Sequence, residues 1–313
     1  MLPVVLIVLL GLVAVRAAVM SEATIHALAG FVLNIALPAV ILSAFIGQDF
    51  AQGFDAGYVA AYAGGSLVAF GGAFAVLRFT RRRSVAHSAM GAMGASASNT
   101  GFIGYPLASL ALGAPAVVAL PMTMMVENIL IIPLALFLAE LGANGGARST
   151  RGLLRETVLR LARTPLMLAI VAGIALSMSG LHMPDTLTTT IGILAGASAP
   201  CALLVVGGTI AGLKRDAVSS DILVIVAVKL LLHPLAVWAA FLLVPGTPPT
   251  LVSAGIIFAS VSMVTIYPLL CARFGLGKEG ATTLIVATAL GLLTTSVVIG
   301  LFGPASQPAL PMP

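Results

Sequence analysis

Residues 99–106 read NTGFIGYP, from Asn99 to Pro106, and place two glycines, a proline, an amide and a hydroxyl inside a long apolar run. Proline lacks a backbone N–H and clashes with the preceding turn, so this stretch predicts a broken helix. Backbone groups freed by such a break cannot stay unpaired in lipid, and they are tolerated where they line a cavity or bind a ligand. The stretch therefore predicts a fold element and a candidate binding site together.

The composition indicates an integral membrane protein. The chain has 313 residues, of which 60% are hydrophobic and only 8% are charged, with a mean hydropathy of +1.15. Soluble domains carry about 25% charged residues. Apolar runs of about 20 residues, long enough to cross a bilayer as helices, recur along the whole length. This spacing leaves no room for a separate soluble domain.

Ten apolar spans predict an all-α membrane protein with ten transmembrane helices. They are residues 2–18, 24–46, 56–79, 85–111, 115–140, 165–181, 186–212, 219–243, 250–273 and 280–302. The first span precedes the first basic residue, Arg16. A signal peptide carries its positive charge before its apolar stretch, so we interpret this span as a transmembrane helix.

The basic residues orient these spans. With the N-terminus outside, the inner segments carry every lysine and arginine except Lys229, which lies within a span. The outer loops carry the acids Asp49, Asp55 and Asp185. This distribution follows the positive-inside rule and predicts that both termini lie outside. The net charge of +5 is therefore a signal of topology, and we expect no nucleic-acid partner.

The two halves of the chain resemble each other at an offset of 162 residues. Three of the six prolines in the first half meet a proline in the second, in the pairs Pro3/Pro165, Pro38/Pro200 and Pro106/Pro268. We infer a first repeat at 1–143, an inner linker at 144–164, a second repeat at 165–302 and a tail at 303–313. Because each repeat has five spans, the second enters the membrane inverted, a plan typical of secondary transporters. Residues 148–164 of the linker predict a short helix on the inner membrane surface, and the tail predicts disorder.

The paired prolines predict broken helices in the fourth and ninth spans, meeting near the middle of the membrane. Half-helix N-termini there offer partial positive charge to an anion. Polar side chains that can bond a carboxylate or coordinate a cation cluster just before the breaks: Ser98, Asn99, Thr100, Ser260, Ser262 and Thr265. The alternative is a pair of kinked helices whose hydroxyls bond their own backbone.

The fifth span contains an acid and an amide, Glu127 and Asn128, with Thr123 one turn earlier on the same face. An ionisable residue inside the membrane is costly and indicates function by default. Glu127 can carry a coupling proton or help Asn99 and Thr123 to bind a cation. It can equally serve as a structural tie between the fifth helix and the crossing.

The eighth span contains Lys229 and His233, one turn apart and just before Pro234. Lys229 can be a counter-charge to Glu127 or to a substrate, or it can extend to the inner surface. His233 can relay protons or be a packed, hydrogen-bonded residue. In the second span, Asn34 precedes a proline and is a further candidate to face the site.

Four stretches resemble the auxin efflux carrier family of bacterial transporters, including its malonate-transporter-like members. They are NTGFIGYPLASLALG (99–113), MMVENILIIPLALFLAE (124–140), LNIALPAVILSAF (33–45) and VKLLLHPLAVW (228–238). The resemblance covers essentially the whole chain. It implies the fold of plant PIN-type carriers and sodium–bile acid symporters, with a scaffold domain of helices 1, 2, 6 and 7. A core domain would comprise helices 3–5 and 8–10, with helices 4 and 9 crossing at their prolines.

The resemblance also implies roles for particular residues. Asn99 would face the substrate, Pro106 and Pro268 would be the crossing prolines, and Pro38 would lie on the scaffold side of the site. The ninth span has no acid, which departs from the cation site of sodium-coupled relatives.

The implied function is secondary transport of a small mono- or dicarboxylate such as malonate by alternating access, either proton-coupled or as a uniporter. Alternatives are a sodium-coupled symporter and a transporter-derived membrane sensor. The expected location is a bacterial inner membrane, with a homodimer formed through the scaffold.

Enzymes and ATP-driven pumps are disfavoured. The chain has no GxSxG, HExxH or GxxxxGK[ST] motif. Its two cysteines, Cys201 and Cys271, lie far apart in apolar runs, so neither a disulfide nor a metal framework is expected. We expect no cofactor.

Overall fold

The computed structural model describes residues 2–46, 54–144, 163–179, 183–212 and 218–303, and within these ranges the secondary structure is helical apart from one isolated β-bridge. The predicted all-α class is confirmed. The predicted surface helix in the linker 144–164 and the predicted disorder of the tail 303–313 fall almost wholly on residues outside these ranges.

Helical segments lie at each of the ten predicted positions. They are α1 (Leu2–Arg16), α2 (Glu22–Phe31, Val32–Ala36, Leu37–Phe45), α3 (Ala56–Ala75, Val76–Thr80), α4a (Val85–Ser96), α4b (Thr100–Gly104, Tyr105–Leu112), α5 (Ala114–Met125, Val126–Ile131, Ile132–Asn144), α6 (Pro165–Ser179), α7 (Asp185–Gly212), α8 (Ser220–Ala227, Val228–Leu232, His233–Leu243), α9a (Pro249–Ser260), α9b (Tyr267–Ala272) and α10 (Gly277–Phe302). Six of these, α2, α3, α5, α7, α8 and α10, are long and apolar enough to cross a membrane. The full count of ten transmembrane helices, and the inverted repeat, stay predictions.

Several helices begin where a short polar side chain caps them. The side chains of Ser21, Asp55, Ser84 and Ser219 each accept a bond from the backbone N–H three residues later. Such caps satisfy donors that a helix N-terminus otherwise leaves unpaired. They set the starts of α2, α3, α4a and α8.

Four π-helical turns precede prolines. The turns Val32–Ala36, Thr100–Gly104, Val126–Ile131 and Val228–Leu232 each end two residues before a proline. The proline ring clashes with the carbonyl one turn earlier, and widening the turn relieves this clash without ending the helix. The sequence pattern of a proline inside an apolar span therefore produces a widened turn in α2, α4b, α5 and α8.

Two helices are interrupted, and their interruptions cross. The chain leaves helical geometry between α4a and α4b and again between α9a and α9b, and the two breaks form an antiparallel bridge between Ser98 and Met263. The Asn99 N–H donates to the Ser262 carbonyl at 2.7 Å, and the Val264 N–H donates to the Ala97 carbonyl at 3.3 Å. These bonds satisfy backbone groups that the breaks would otherwise leave unpaired.

The crossing lies upstream of both prolines, which differs from the expected crossing at Pro106 and Pro268. Pro268 lies at the start of α9b, and Pro106 lies within α4b just after its π-helical turn. Proline is well accommodated in a first helical turn, because the N–H it lacks has no partner there. The two prolines therefore lie in the half-helices that follow the breaks, and the extended segments before them make the contact.

The helices pack in two groups. One group comprises α1, α2, α6 and α7, and the other comprises α3, α4, α5, α8, α9 and α10. The groups meet mainly where α7 contacts α4b and where α2 contacts α5. Glycines allow close approach within each group, as at Gly207 of α7 against the backbone of Val8, and at Gly65 of α3 against the backbone of Val237. The crossing lies in the second group.

Candidate functional site at the helix crossing

Glu127 lies buried beside the crossing and accepts three hydrogen bonds. Its Oε1 accepts hydrogen bonds from the Thr100 hydroxyl at 2.8 Å, from the Ser98 backbone N–H at 3.1 Å and from the Tyr62 hydroxyl at 3.1 Å. The side chain is only 3% exposed. A carboxylate at membrane depth is costly unless donors surround it. The crossing supplies two of these donors directly.

Lys229 lies fully buried on the other side of Ser98. Its Nζ donates to the Ser98 hydroxyl at 2.6 Å and to the Ala259 carbonyl at 3.1 Å, and it lies 2.8 Å from Nδ1 of His233. The ammonium group therefore lies at the crossing and does not extend to the inner surface. Lysine brings three donors and no acceptor, and all three have partners here.

The position of the ammonium group determines which ring nitrogen of His233 carries a proton. Because an ammonium group can only donate, Nδ1 must accept, and Nε2 then donates to the Ser66 hydroxyl 2.9 Å away. The ring is buried, with hydrogen-bond partners for both nitrogens. A neutral His233 is thus one link in a buried chain of hydrogen bonds from α3 to the crossing.

Ser98 connects the acid and the base. Its backbone N–H bonds Glu127, its hydroxyl accepts from Lys229, and the same residue forms the bridge to Met263. The two opposite charges therefore lie on either side of one residue of the α4 break. A movement of Ser98 would therefore alter its bonds to Glu127 and to Lys229 together.

Three of the polar residues at the crossing lie in widened turns. Glu127 lies in the π-helical turn of α5 and Lys229 in that of α8, while Thr100 begins the turn of α4b. Such turns shift the register of the side chains and are frequent at functional sites. The prolines that follow these turns thus help to direct polar side chains to one point.

A small cavity lies beside the crossing, between the two packing groups. It is lined by polar residues Asn99, Thr209, Thr265 and Thr288 and by apolar residues Val206, Ile210, Leu284 and Ile285. The Asn99 amide donates to the Thr265 hydroxyl at 2.8 Å. About 10 Å³ is open to the centre of a water molecule, which is room for about one water. None of these lining residues is acidic.

The structure brings many of the predicted site residues together. The following lie at the crossing or bond to it directly: Ser98, Asn99, Thr100, Ser262, Thr265, Glu127 and Lys229. His233 bonds Lys229. Ser262 accepts from the Thr288 hydroxyl at 3.2 Å. Ser260 is bonded to Thr295 of α10 and to the Ile257 carbonyl.

Other candidates lie apart from this cluster. Asn34 is exposed and donates to the Gly30 carbonyl of its own helix, and Asn128 donates to the Met124 carbonyl of its own helix. Thr123 is buried, and its hydroxyl forms a 2.6 Å hydrogen bond with the Tyr58 hydroxyl of α3. The buried Pro38 follows the widened turn of α2. Of these four residues, Thr123 and Pro38 are buried in helix packing.

Sequence reasoning missed several participants. Tyr62 bonds Glu127, Ser66 bonds His233, and Thr209 and Thr288 line the cavity. One signal was available, because Tyr58 and Tyr62 are two of the four tyrosines in the chain and lie one turn apart in the third span. Threonines in apolar helices give no comparable signal, since most of them bond their own backbone.

Comparison with known proteins agrees with the membrane architecture. The sequence profile of a family described as "Membrane transport protein" matches residues 1–299. A protein of Rhizobium meliloti (strain 1021) that carries the name "Putative malonate transporter" is 30% identical over 282 residues. That similarity covers 90% of this chain and 87% of the relative.

Proposed function

Because the chain belongs to this family of membrane transport proteins, the auxin efflux carrier family that the sequence resembles, we propose that it is a secondary transporter of a small organic anion. The proposed substrate is a mono- or dicarboxylate such as malonate, the substrate named for the Rhizobium relative. The observation that carries the proposal is the cavity between α7 and the crossing, lined by an amide and hydroxyls without an acid.

The cavity offers donors suited to a carboxylate. The Asn99 amide has a second N–H besides the one that it donates to Thr265. The Thr209 hydroxyl now donates to the Val205 carbonyl and the Thr288 hydroxyl to Ser262, and rotation of either hydroxyl would turn its donor to a bound carboxylate. The N-terminus of α4b begins at Thr100, next to Asn99, and contributes partial positive charge. Apolar residues of α7 and α10 complete the lining, which suits the short carbon chain of a small organic acid.

Transport by alternating access fits the packing of the helices. The cavity admits about one water, so a three-carbon diacid requires the two packing groups to separate. Thr209 comes from the α1, α2, α6 and α7 group, and Asn99 comes from the other group. We identify these groups with the scaffold and core domains expected from the sequence, and we propose that they move against each other around the substrate.

Coupling to protons, or transport without a coupling ion, is favoured over sodium coupling. The Ala259 carbonyl and the Ser98 hydroxyl, which could serve a sodium ion, are taken by the ammonium group of Lys229. Glu127 is the only acid that contacts the crossing within the described residues. Glu127 is our candidate to carry a coupling proton. Protonation would neutralise the carboxylate and weaken its hydrogen bond from the Ser98 N–H, and with it the connection through Ser98 to Lys229.

The proposed setting is a bacterial inner membrane, with both termini outside and a second copy packed on the scaffold group. The chain is a multi-pass membrane protein by its family and its apolar helices. Its basic residues are the support for this orientation.

Counterflow in proteoliposomes tests the transport function. Vesicles loaded with unlabelled malonate should accumulate external radiolabelled malonate through the wild-type protein, with saturation and with competition by other short carboxylates. Asn99→Asp keeps the size of the side chain and adds a negative charge, so it should abolish this uptake more completely than Asn99→Ala. Absence of counterflow with every carboxylate tested, in vesicles shown to contain folded protein, would refute the organic-anion assignment.

A further inference from the structure

A second cluster of ionisable side chains lies away from the crossing, where several helices of the same packing group begin. His87 is in the first turn of α4a, Asp221 in the first turn of α8 and Glu279 in the first turn of α10. Under the predicted topology these turns lie at the inner membrane surface. The cluster shares no residue with the cavity beside Asn99.

The three side chains converge on one point. His87 Nε2 lies 3.3 Å from an oxygen of Glu279 and 3.8 Å from an oxygen of Asp221, and one ligand atom from each residue lies within 4.8 Å of the other two. Donor atoms around a tetrahedral ion with bonds of about 2.0–2.1 Å lie about 3.4 Å apart. Small side-chain rotations would therefore bring all three to bonding distance of one ion.

The surroundings would hold such ligands in place. Asp221 is 2% exposed; Arg83 Nε donates to one of its oxygens, and Arg81 Nε forms an ion pair with the other at 3.4 Å. Carboxylates that ligate metals are commonly fixed by donors of this kind, each oxygen keeping a further lone pair for the ion. The side chain of His87 is 13% exposed and that of Glu279 is 28% exposed, so an ion can enter from the aqueous side.

Space for a fourth ligand adjoins the cluster. A second cavity, with about 10 Å³ open to a water centre, is lined by His87, Glu279, Tyr267 and Cys271 among others. One bound water fits this volume. Tyr267 and Cys271 belong to α9b, the short helix that follows the α9 break. An ion at this point would therefore lie against the inner half of a crossing helix.

From this geometry we propose that His87, Asp221 and Glu279 form a binding site for a divalent transition-metal ion such as Zn²⁺. An imidazole nitrogen with two carboxylates suits Zn²⁺ and its neighbours in the periodic table better than Ca²⁺ or Mg²⁺, which favour all-oxygen ligand sets. All three ligands belong to helices of one packing group, so the ion ties α4a, α8 and α10 together. It is a structural brace, outside the path proposed for the substrate.

Metal binding by tag-free, chelator-treated protein in detergent tests this site. Equilibrium dialysis against Zn²⁺ should leave about one ion per wild-type chain, and Zn²⁺ should raise the melting temperature. His87→Ala and Glu279→Gln should lose both effects. His26→Ala removes an exposed histidine of α2 and is the matched control that should keep them.

Co²⁺ provides a measurement that needs no variant. Bound at the proposed site, it should give the intense visible absorption of a four-coordinate ion, and Zn²⁺ should displace it. The proposal is overturned if wild-type protein binds no more Zn²⁺ than His87→Ala, or if Co²⁺ gives only the weak spectrum of its aqueous ion. Either result would leave the cluster as an ion-pair network held by its arginines.

Discussion

At the scale of single residues, the crossing is organised around Ser98. Its N–H reaches Glu127 and its hydroxyl reaches Lys229, so an acid and a base with no direct bond are joined through one small side chain. Taking two charges out of water costs several kcal/mol each, and only a complete set of partners offsets that cost. The buried network is therefore sensitive to the loss of any one member.

Removing one of the two buried charges should destabilise the folded protein more than removing both. Lys229→Met leaves the Ala259 carbonyl and Glu127 without a compensating cation, and loss of one partner of a buried charge pair costs about 3–5 kcal/mol. The double variant Lys229→Met/Glu127→Gln should melt at a higher temperature than Lys229→Met alone. Scanning fluorimetry in detergent measures this, and strictly additive shifts would show that the two charges are independent.

Thr209 should contribute to substrate affinity. Its hydroxyl lines the cavity, and one lost hydrogen bond is worth about 0.5–1.5 kcal/mol, so Thr209→Val should weaken malonate binding about 2- to 10-fold. Thr190→Val makes the same change at an exposed position of the same helix, and there, as at Thr209, the hydroxyl donates to the carbonyl one turn earlier, so the two variants differ only in their place relative to the cavity. Competition of labelled uptake by unlabelled malonate gives both affinities, and equal values for the two variants would exclude Thr209 from the site.

The sequence singled out Glu127 and Lys229 because charges in apolar spans are rare and costly. It did not reveal their partners. Ser98 and Tyr62 reach Glu127 only because α3, α4 and α5 pack in one particular way, and the contact between Lys229 and Ala259 spans 30 residues of chain. Such pairings depend on tertiary packing, which a local pattern does not encode.

At the scale of helices, the prolines determine where turns widen and where a new half-helix begins. Four of the prolines inside the spans are preceded by widened turns, and three of these turns carry Thr100, Glu127 and Lys229. Pro121 and Pro200 lie inside regular α-helix without such a turn. The presence of the two interruptions followed from the sequence, but their position did not. The crossing lies in the segments that precede the prolines, since a proline is acceptable early in a new helix.

Close helix contacts should tolerate no added methyl group. A Cβ at Gly65 would lie 2.5 Å from the Val237 backbone, so Gly65→Ala should force α3 and α8 apart and destabilise the protein by about 1–3 kcal/mol. The neighbouring Gly64 has open space around its Cα, and alanine favours helix, so Gly64→Ala should be neutral or stabilising. Melting temperatures compare the two, and equal shifts would contradict the close packing described here.

At the scale of the whole molecule, the cavity lies where two groups of helices meet. α7 supplies one wall, and the crossing with α10 supplies the other. The sequence could anticipate such a division only through family resemblance, because nothing in the composition of a span shows which neighbours it packs against. In the proposed transport cycle, these two groups of helices are the units that move against each other.

The proposed coupling to protons makes predictions at the same scale. Replacing sodium with choline should leave malonate uptake unchanged, because Lys229 holds the oxygens of the crossing. A pH gradient should drive uptake in wild-type vesicles. Glu127→Gln should retain exchange of malonate for malonate while losing the response to the gradient. Uptake that requires sodium would transfer the coupling role from Glu127 to a cation site.

A reversible cross-link between the two walls of the cavity tests the central claim most directly. Thr209→Cys on α7 and Thr288→Cys on α10 would be introduced after Cys201→Ala and Cys271→Ala, then joined by a short bifunctional methanethiosulfonate. If substrate binds between groups that must separate, cross-linked protein should lose malonate counterflow, and reduction should restore it to the level of the untreated double-cysteine protein. Each single-cysteine variant, in which the reagent joins no walls, should lose less of its own untreated counterflow. Full counterflow through quantitatively cross-linked protein would contradict both the location of the site and the motion proposed around it.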